Sequence, residues 1–240
     1  MTIQTAGKIR AILLDWDGTI ADSFPLIYLM YQEFFKKAFK TDFPFTIQNF
    51  KKQYTFDWEK NYRIFGMEEL IPCGQESYIT FMNKNNSKIE LFSGMAEILQ
   101  RLSKKYKLGM VTSNHEELIR ERLQKSKIEK LFDCIVDCNF NLEENGILKP
   151  FQKPNPEPLL YCLNQISQKN GLIISPNEAA MVGDHHCDIE AGLNARTGLV
   201  VGAGWGDRTP EELQAFASEK NASNVIILEN HLQLADVFGV

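Results

Sequence analysis

Short apolar runs alternate with segments of helical spacing along most of the chain. In the helical segments apolar residues recur every three or four positions, as at Met95, Ile98, Leu99 and Leu102, which predicts helices that bury one face. This alternation predicts an α/β fold, a doubly wound and mostly parallel sheet with helices on both faces. The predicted strands are residues 9–14, 108–111, 134–136, 179–182, 198–201 and 225–228, and the further predicted helices are residues 159–166, 189–193 and 211–216.

Residues 22–92 break the alternation. They are rich in aromatic residues and have few strand-like runs, while Leu26, Met30 and Phe34 keep helical spacing. We expect a small helical cap domain inserted after the first strand, with residues 1–21 and 93–240 forming the α/β core domain. Because a small helical unit needs bulky side chains to bury enough area, the aromatics are predicted to form its core rather than a surface for ligand stacking. Residues 83–87 are predicted to be a linker or loop.

Charge and composition narrow the classes of function. The chain of 240 residues has a formal net charge of −5 and no basic stripe, so nucleic acid is not expected as a partner. No apolar run reaches the length of a membrane span and the N-terminus lacks the apolar block of a secretory signal, which predicts a cytoplasmic protein with no membrane partner. The five cysteines are odd in number and scattered, as expected of reduced thiols. Cys134 and Cys138 have no second Cys or His pair that would complete the four ligands of a metal site. We therefore interpret them as residues of a half-buried strand and its edge.

Two aspartates follow the first predicted strand in Asp15-Trp16-Asp17-Gly18-Thr19. This spacing places two carboxylates at the rim of a crevice, since ligands in such sheets bind beyond the carboxyl ends of the strands. The alternative is a tight turn in which Asp and Gly cap the next helix.

Two more carboxylates, Asp184 and Asp188, follow the predicted strand at residues 179–182. Acidic groups gathered from separate strand ends repel one another unless a cation neutralises them. Hard oxygen ligands with open positions suit Mg²⁺, which keeps several waters and takes a substrate phosphate oxygen. The sequence therefore predicts a magnesium site.

Thr112, Ser113 and Asn114 follow another predicted strand and offer hydroxyl, amide and backbone donors where a helix starts, which favours an anion site. A plain helix cap is the alternative. Lys153 precedes a helix whose entry is fixed by proline, and by itself it would be interpreted as a solvated lysine.

These motifs together resemble the haloacid dehalogenase superfamily of phosphohydrolases, over nearly the whole chain. The first motif corresponds to Asp15 through Thr19, the second to Thr112, the third to Lys153, and the fourth to Gly183-Asp184 with Asp188. The run Lys153-Pro154-Asn155-Pro156, the insert after the first motif and the glycines at 202–206 are similar to the branch that includes phosphoglycolate phosphatases and β-phosphoglucomutases. Lys149-Pro150 is a competing third motif that lacks the second proline.

The resemblance implies a role for each motif. Asp15 would be the nucleophile and a Mg²⁺ ligand, and Asp17 the general acid and base that also binds Mg²⁺ through its backbone carbonyl. Asp184 would be the second carboxylate ligand, and Asp188 would orient a metal-bound water. The groups that bind the phosphoryl oxygens or the substrate would be Thr112, Ser113, Asn114, Lys153 and Gly18.

The expected function is Mg²⁺-dependent hydrolysis of a small phosphorylated metabolite, a monoester such as a phosphoglycolate-like acid or a sugar phosphate, through an aspartyl-phosphate. A phosphomutase is the sibling alternative, and a non-catalytic phosphate or metal sensor is the alternative from another class. Asp17, a ready acid and base, argues against storage of the phosphoryl group. His185 and His186 are interpreted as loop residues, with substrate contact by His185 as the alternative, and His115 as a residue at the start of a helix.

Overall fold

The computed structural model describes residues 9–55, 57–144 and 147–240. By its internal contacts the chain divides into two compact units, one formed by Met1–Asp22 with Leu91–Val240 and the other by Ser23–Glu90. Phe56, one of the aromatics assigned to the insert, lies outside the described residues. Among the helices that are described, none is both long and apolar enough to cross a membrane.

The first unit contains a six-stranded parallel sheet. Its strand order is β10-β9-β8-β1-β4-β5, and every neighbouring pair is parallel. The chain runs from β1 to one side of the sheet and returns on the other side with β8, so the order reverses beside β1. The strands of the chain are β1 (Ala11–Leu14), β2 (Ala21–Asp22), β3 (Glu90–Leu91), β4 (Lys107–Val111), β5 (Phe132–Val136), β6 (Asn141–Glu144), β7 (Ile147–Pro150), β8 (Ala179–Gly183), β9 (Leu199–Ala203) and β10 (Val225–Leu228).

Both faces of this sheet are covered. Leu13 packs in one apolar cluster with Leu159 and Ile166 of a helix, while Ile12 and Leu14, which point to the opposite face, are completely buried. Strands buried on both faces are typical of parallel sheets between helices, so the predicted fold class is confirmed. The helices of this unit are α5 (Met95–Ser103), α6 (Glu116–Lys125), α7 (Glu157–Asn170), α8 (His186–Asn194), α9 (Pro210–Glu219) and α10 (Gln233–Phe238).

The second unit is helical. Its core contains Phe50, whose ring centroid lies 4.9 Å from that of Tyr31 and 4.6 Å from that of Phe65. These three side chains are buried, whereas Trp58 is 40% exposed. The helices of this unit are α1 (Phe24–Phe39), α2 (Ile47–Gln53), α3 (Trp58–Ile64) and α4 (Ile71–Asn85).

The prediction of a linker at residues 83–87 is wrong. The helix α4 continues to Asn85, and Asn86–Lys88 forms a 3₁₀ turn. Asn85 is buried and its side-chain amide donates to the Phe81 carbonyl at 2.9 Å. A polar run that suggested a loop is therefore part of a helix end, because its side chains bond to the helix's own backbone.

An antiparallel pair, β6 with β7, precedes the third motif. The sequence pattern does not predict this pair, since Asn141–Glu144 is largely polar and lacks an alternating apolar face. Lys149 lies in β7 and is exposed. The pair thus carries the competing lysine, while Lys153 lies beyond its end.

Candidate active site

Three adjacent strands, β8, β1 and β4, end at the same edge of the sheet. Asp15 follows β1, and its backbone N–H donates to the Val182 carbonyl of β8 at 2.9 Å. Thr112 follows β4, and its backbone N–H donates to the Val136 carbonyl of β5 at 2.9 Å. The sheet hydrogen bonding therefore continues to the first functional residue and fixes its backbone.

A buried acidic cluster lies at this edge. Oxygens of Asp15, Asp184 and Asp188 lie within 4.8 Å of one another. Lys153, which is 6% exposed, places Nζ 2.6 Å from Asp15 Oδ1 and 2.6 Å from Asp188 Oδ1. The structure thus brings together four of the residues that the sequence motifs singled out.

Burial and repulsion disfavour charge on these carboxyls. Burial raises the pKa of Asp15 to about 7; Lys153 opposes this shift, and Asp188 and Asp17 add to it. Burial is the main cause that raises the pKa of Asp184 well above its usual value, and repulsion from Asp15 and Asp188 adds to the rise. For Lys153, burial lowers the pKa, but attraction from Asp15 and Asp188 outweighs it and the net shift is upward.

The residues present fit a hard divalent cation. Three buried carboxylates face one ammonium group, so full ionisation leaves negative charge that a cation would neutralise. Asp188 is engaged by Lys153 and accepts from the His185 backbone N–H at 2.9 Å. Asp15, Asp184 and Asp188 together could hold a metal ion, and oxygen donors suit Mg²⁺.

Asp184 is held by its neighbours at both oxygens. The Thr19 hydroxyl donates to Oδ1 at 3.3 Å, and the Asp207 backbone N–H donates to Oδ2 at 2.6 Å. The indole N–H of Trp205 donates to the Thr19 carbonyl at 3.1 Å, which joins the loop after β9 to the loop after β1.

Two glycines allow these loops to approach Asp184. Gly18 has φ +72°, and a Cβ there would lie 2.0 Å from Asp184 Oδ2. A Cβ on Gly206 would lie 2.2 Å from the Gly18 carbonyl oxygen and 2.4 Å from Asp184 Cβ. Any side chain at position 206 must therefore displace the backbone or the carboxylate.

Gly206→Ala is expected to weaken Mg²⁺ binding, because the added methyl would push Asp184 or Gly18 from its place. Overpacking of this kind costs about 1–3 kcal/mol. Calorimetric titration with Mg²⁺ and thermal unfolding would measure the two effects. The control is Gly171→Ala: with φ +62° and no atom near its Cβ, it should cost about 1 kcal/mol of backbone strain and leave Mg²⁺ affinity unchanged. Wild-type Mg²⁺ affinity in Gly206→Ala would contradict the proposed crowding.

Asp17 and the residues after β4 form the other side of the site. The Asn114 side-chain amide donates to Asp17 Oδ2 at 3.0 Å, and the Asn114 backbone N–H donates to Thr112 Oγ1 at 3.0 Å. Thr112 and Asn114 are buried, whereas Ser113 is exposed. The structure thus pairs Asn114, expected at the phosphate, with the second aspartate.

The two adjacent histidines begin α8. His185 is the N-cap, where Nδ1 accepts from the Cys187 backbone N–H at 3.3 Å, and burial lowers its pKa to about 4. His186 is the first helical residue and stacks on Phe216 with ring centroids 4.5 Å apart. The interpretation of His186 as a loop residue is wrong, because the helix starts directly at the fourth motif. His115 is the N-cap of α6, as expected.

Sequence reasoning gave no role to Thr19, Trp205 or Asp207. Thr19 contacts Asp184 through its hydroxyl, and the contacts of Trp205 and Asp207 each involve a backbone group. All three depend on the paths of the loops. The sequence feature that could have indicated these contacts is the set of closely spaced glycines at residues 202–206, directly after a predicted strand. Glycines at such a position indicate that another backbone segment approaches closely.

The chain has a parallel sheet covered by helices, with a helical unit inserted after β1. Aspartates, a lysine and hydroxyl and amide donors lie together at the carboxyl edge of this sheet. These features define a class of hydrolases. The family model for haloacid dehalogenase-like hydrolases matches residues 12–201. The chain belongs to this family. The predictions of the superfamily and of an enzyme that is a hydrolase are confirmed.

Named relatives are similar over most of their length. Pyrophosphatase PpaX from Bacillus mycoides (strain KBAB4) is 28% identical over 218 residues, covering 87% of this chain and 90% of the relative. Pyrophosphatase PpaX from Bacillus thuringiensis (strain Al Hakam) is 30% identical over 198 residues, covering 79% and 81%. A predicted phosphoglycolate phosphatase from Haemophilus somnus 129pt has the same fold, with a TM-score of 0.73, 20% identity and coverage of 96% and 98%.

Proposed function

We propose that this protein is a Mg²⁺-dependent phosphatase that hydrolyses a small phosphate monoester, such as a phosphoglycolate-like acid or a sugar phosphate, through an aspartyl-phosphate on Asp15. The observation that carries the proposal is the contact of Lys153 Nζ with Asp15 Oδ1 at 2.6 Å inside the buried acidic cluster. An ammonium at that position favours the ionised carboxylate that a nucleophile requires, against the burial that raises the pKa of Asp15 to about 7.

In the first half of the reaction, a carboxylate oxygen of Asp15 forms a bond to phosphorus while the bond to the leaving oxygen breaks. Asp17 gives its proton to that leaving oxygen. In the second half, Asp17 takes a proton from the attacking water, the water oxygen bonds to phosphorus, and the Asp15–phosphorus linkage breaks. Both aspartates return to their starting states, with inorganic phosphate and an alcohol as products.

Thr112 and Lys153 are proposed to hold the phosphoryl oxygens. The Thr112 hydroxyl oxygen accepts from the Asn114 backbone N–H at 3.0 Å, so its own hydrogen can donate to another oxygen. Lys153 contributes positive charge beside Asp15. Donors fixed before the reaction stabilise charge that develops on the transferring group.

Asp15 and Asp184, with the backbone carbonyl of Asp17, would hold the Mg²⁺. When bound, the metal would neutralise phosphoryl oxygen charge and orient the substrate. Asp188 would lie behind these ligands and orient a metal-bound water. It also contacts Lys153 Nζ at 2.6 Å.

Chelation is expected to abolish activity, and Mg²⁺ is expected to restore it while Ca²⁺ does not. Calcium takes more ligands in a looser geometry and would misplace the attacking carboxylate. Release of inorganic phosphate from p-nitrophenyl phosphate, with and without excess chelator, measures this. Full activity in excess chelator would contradict the metal assignment, and absence of turnover with Mg²⁺ on every tested ester would favour a non-catalytic sensor.

A second candidate substrate is inorganic pyrophosphate, because the similar curated relatives are named pyrophosphatases. The same residues would serve, with phosphate instead of an alcohol as the leaving group. A panel of phosphorylated metabolites that includes pyrophosphate, phosphoglycolate and sugar phosphates separates the candidates by kcat/KM. The panel also includes the interconversion of hexose phosphates, which would reveal a phosphomutase.

We place the protein in the cytoplasm. All five of its cysteines are free thiols, which supports a reducing compartment.

A further inference from the structure

The Asn114 side chain contacts one carboxylate oxygen of Asp17. The His115 backbone N–H donates to Asn114 Oδ1 at 2.8 Å. A backbone N–H can only donate, so the side-chain atom that faces it must be the amide oxygen. The NH₂ end of Asn114 therefore faces Asp17, where Nδ2 lies 3.0 Å from Oδ2.

The backbone of Asn114 is equally fixed. Its N–H donates to Thr112 Oγ1 at 3.0 Å, and its carbonyl accepts from the Cys138 N–H at 3.1 Å. The residue is 4% exposed. Turning the side chain away would break its hydrogen bonds to the His115 backbone N–H and to Asp17, so the donor stays aimed at Asp17.

We infer that Asn114 is a positioning residue for the acid–base step, which selects Oδ1 of Asp17 as the oxygen that carries the transferable proton. The inference rests on the proposed function. A protonated carboxyl has one O–H oxygen and one carbonyl oxygen, and the Asn114 amide donor bonds to Oδ2 as the carbonyl oxygen. The proton then resides on Oδ1 and moves from there to the leaving oxygen, while the electron pair of the O–H bond remains on Asp17. Oδ1 later accepts the proton of the attacking water.

This role differs from binding of the phosphoryl group. A phosphate-binding amide would contribute about equally to every substrate, since all substrates present the same phosphoryl oxygens. A residue that positions the acid matters most when the leaving group needs protonation. The two roles can therefore be separated by comparing leaving groups.

The test uses Asn114→Asp, which keeps the side-chain size and the oxygen that accepts from His115 but replaces the amide donor with an acceptor. The matched control is Asn170→Asp, because Asn170 Nδ2 donates to Asp133 Oδ1 at 3.1 Å near the amino end of β5, the strand end opposite the site. Asn114→Ala is measured in parallel, since it removes the donor without adding charge. Thermal melts establish that each variant is folded.

For both Asn114 variants, kcat/KM on an alkyl phosphate should fall about 10- to 100-fold more than on p-nitrophenyl phosphate. For Asn114→Ala, inhibition by orthovanadate should stay within about 3-fold of wild type, because the phosphate-binding groups remain and no charge is added. Asn170→Asp should change neither ratio.

Three outcomes would overturn the inference. Equal losses on both esters together with weaker orthovanadate inhibition would make Asn114 a phosphate-binding residue. Rates like those of Asn170→Asp would leave it without a role while the proposed function stands. Wild-type protein that releases no phosphate from any ester would remove the proposed function and this inference with it.

Discussion

Asp15→Asn should reduce turnover by about 10⁴-fold or more and leave no detectable phosphoenzyme with any substrate. The amide that replaces the carboxylate has no charged oxygen to attack phosphorus. The substitution also removes one of the two carboxylates proposed to hold Mg²⁺, so the affinity for Mg²⁺ should fall as well. Lys153 keeps its contact with Asp188 at 2.6 Å, so the variant is expected to fold.

Rapid quench followed by mass spectrometry of the peptide that contains Asp15 would measure the phosphoenzyme. Wild-type protein should show an adduct of one phosphoryl group, and Asp15→Asn should show none. Asp236→Asn, on the exposed side of α10, is the matched control for loss of one negative charge and should behave as wild type. A phosphoryl adduct on another residue, or turnover near wild type in Asp15→Asn, would rule out Asp15 as nucleophile.

The central strands β1, β8 and β9 could be predicted because each is a contiguous apolar run that is buried throughout. The strand predicted at residues 179–182 appears as Ala179–Gly183, all of it buried. The antiparallel pair formed by Asn141–Glu144 and Ile147–Pro150 was not predicted, since apolar and polar residues do not alternate along it in the way that indicates a strand. Local pattern thus finds elements that bury a face and misses those held mainly by backbone pairing.

The grouping of Asp15, Thr112 and Asp184 follows from topology, since the carboxyl ends of adjacent parallel strands meet at one edge. Contacts made by loops do not follow from it. The Asp207 backbone N–H reaches Asp184 across 23 positions of sequence, and the Asn114 amide reaches Asp17 across 97. The path of each loop decides these contacts, and no spacing rule encodes that path.

The choice between two lysines illustrates the same limit. Proline spacing favoured Lys153 over Lys149, but a lysine in a polar segment is usually solvated. In the structure Lys153 is 6% exposed, and Lys149 lies exposed in β7. The strand pair that carries Lys149 was not predicted from the sequence pattern.

Asp17→Asn is expected to separate the two halves of the reaction. The variant keeps the backbone carbonyl proposed to bind Mg²⁺, and an amide oxygen can still accept from Asn114 Nδ2. It cannot give or take a proton, so kcat on an ordinary alkyl ester should fall about 10²- to 10⁴-fold. A substrate with a good leaving group needs little protonation, so the first half should proceed and phosphorylate Asp15.

With p-nitrophenyl phosphate, the Asp17→Asn variant should therefore release one equivalent of p-nitrophenol and then stall, because the water that must attack the aspartyl-phosphate lacks its base. The burst of p-nitrophenol and the phosphoryl adduct on the peptide that contains Asp15 measure this in the same quenched samples. Asp22→Asn, exposed in β2, is the matched control and should turn over without a burst of this size. Steady turnover by Asp17→Asn with no accumulated adduct would contradict the acid–base role of Asp17, and it would favour direct attack on phosphorus by a metal-bound water that bypasses Asp15.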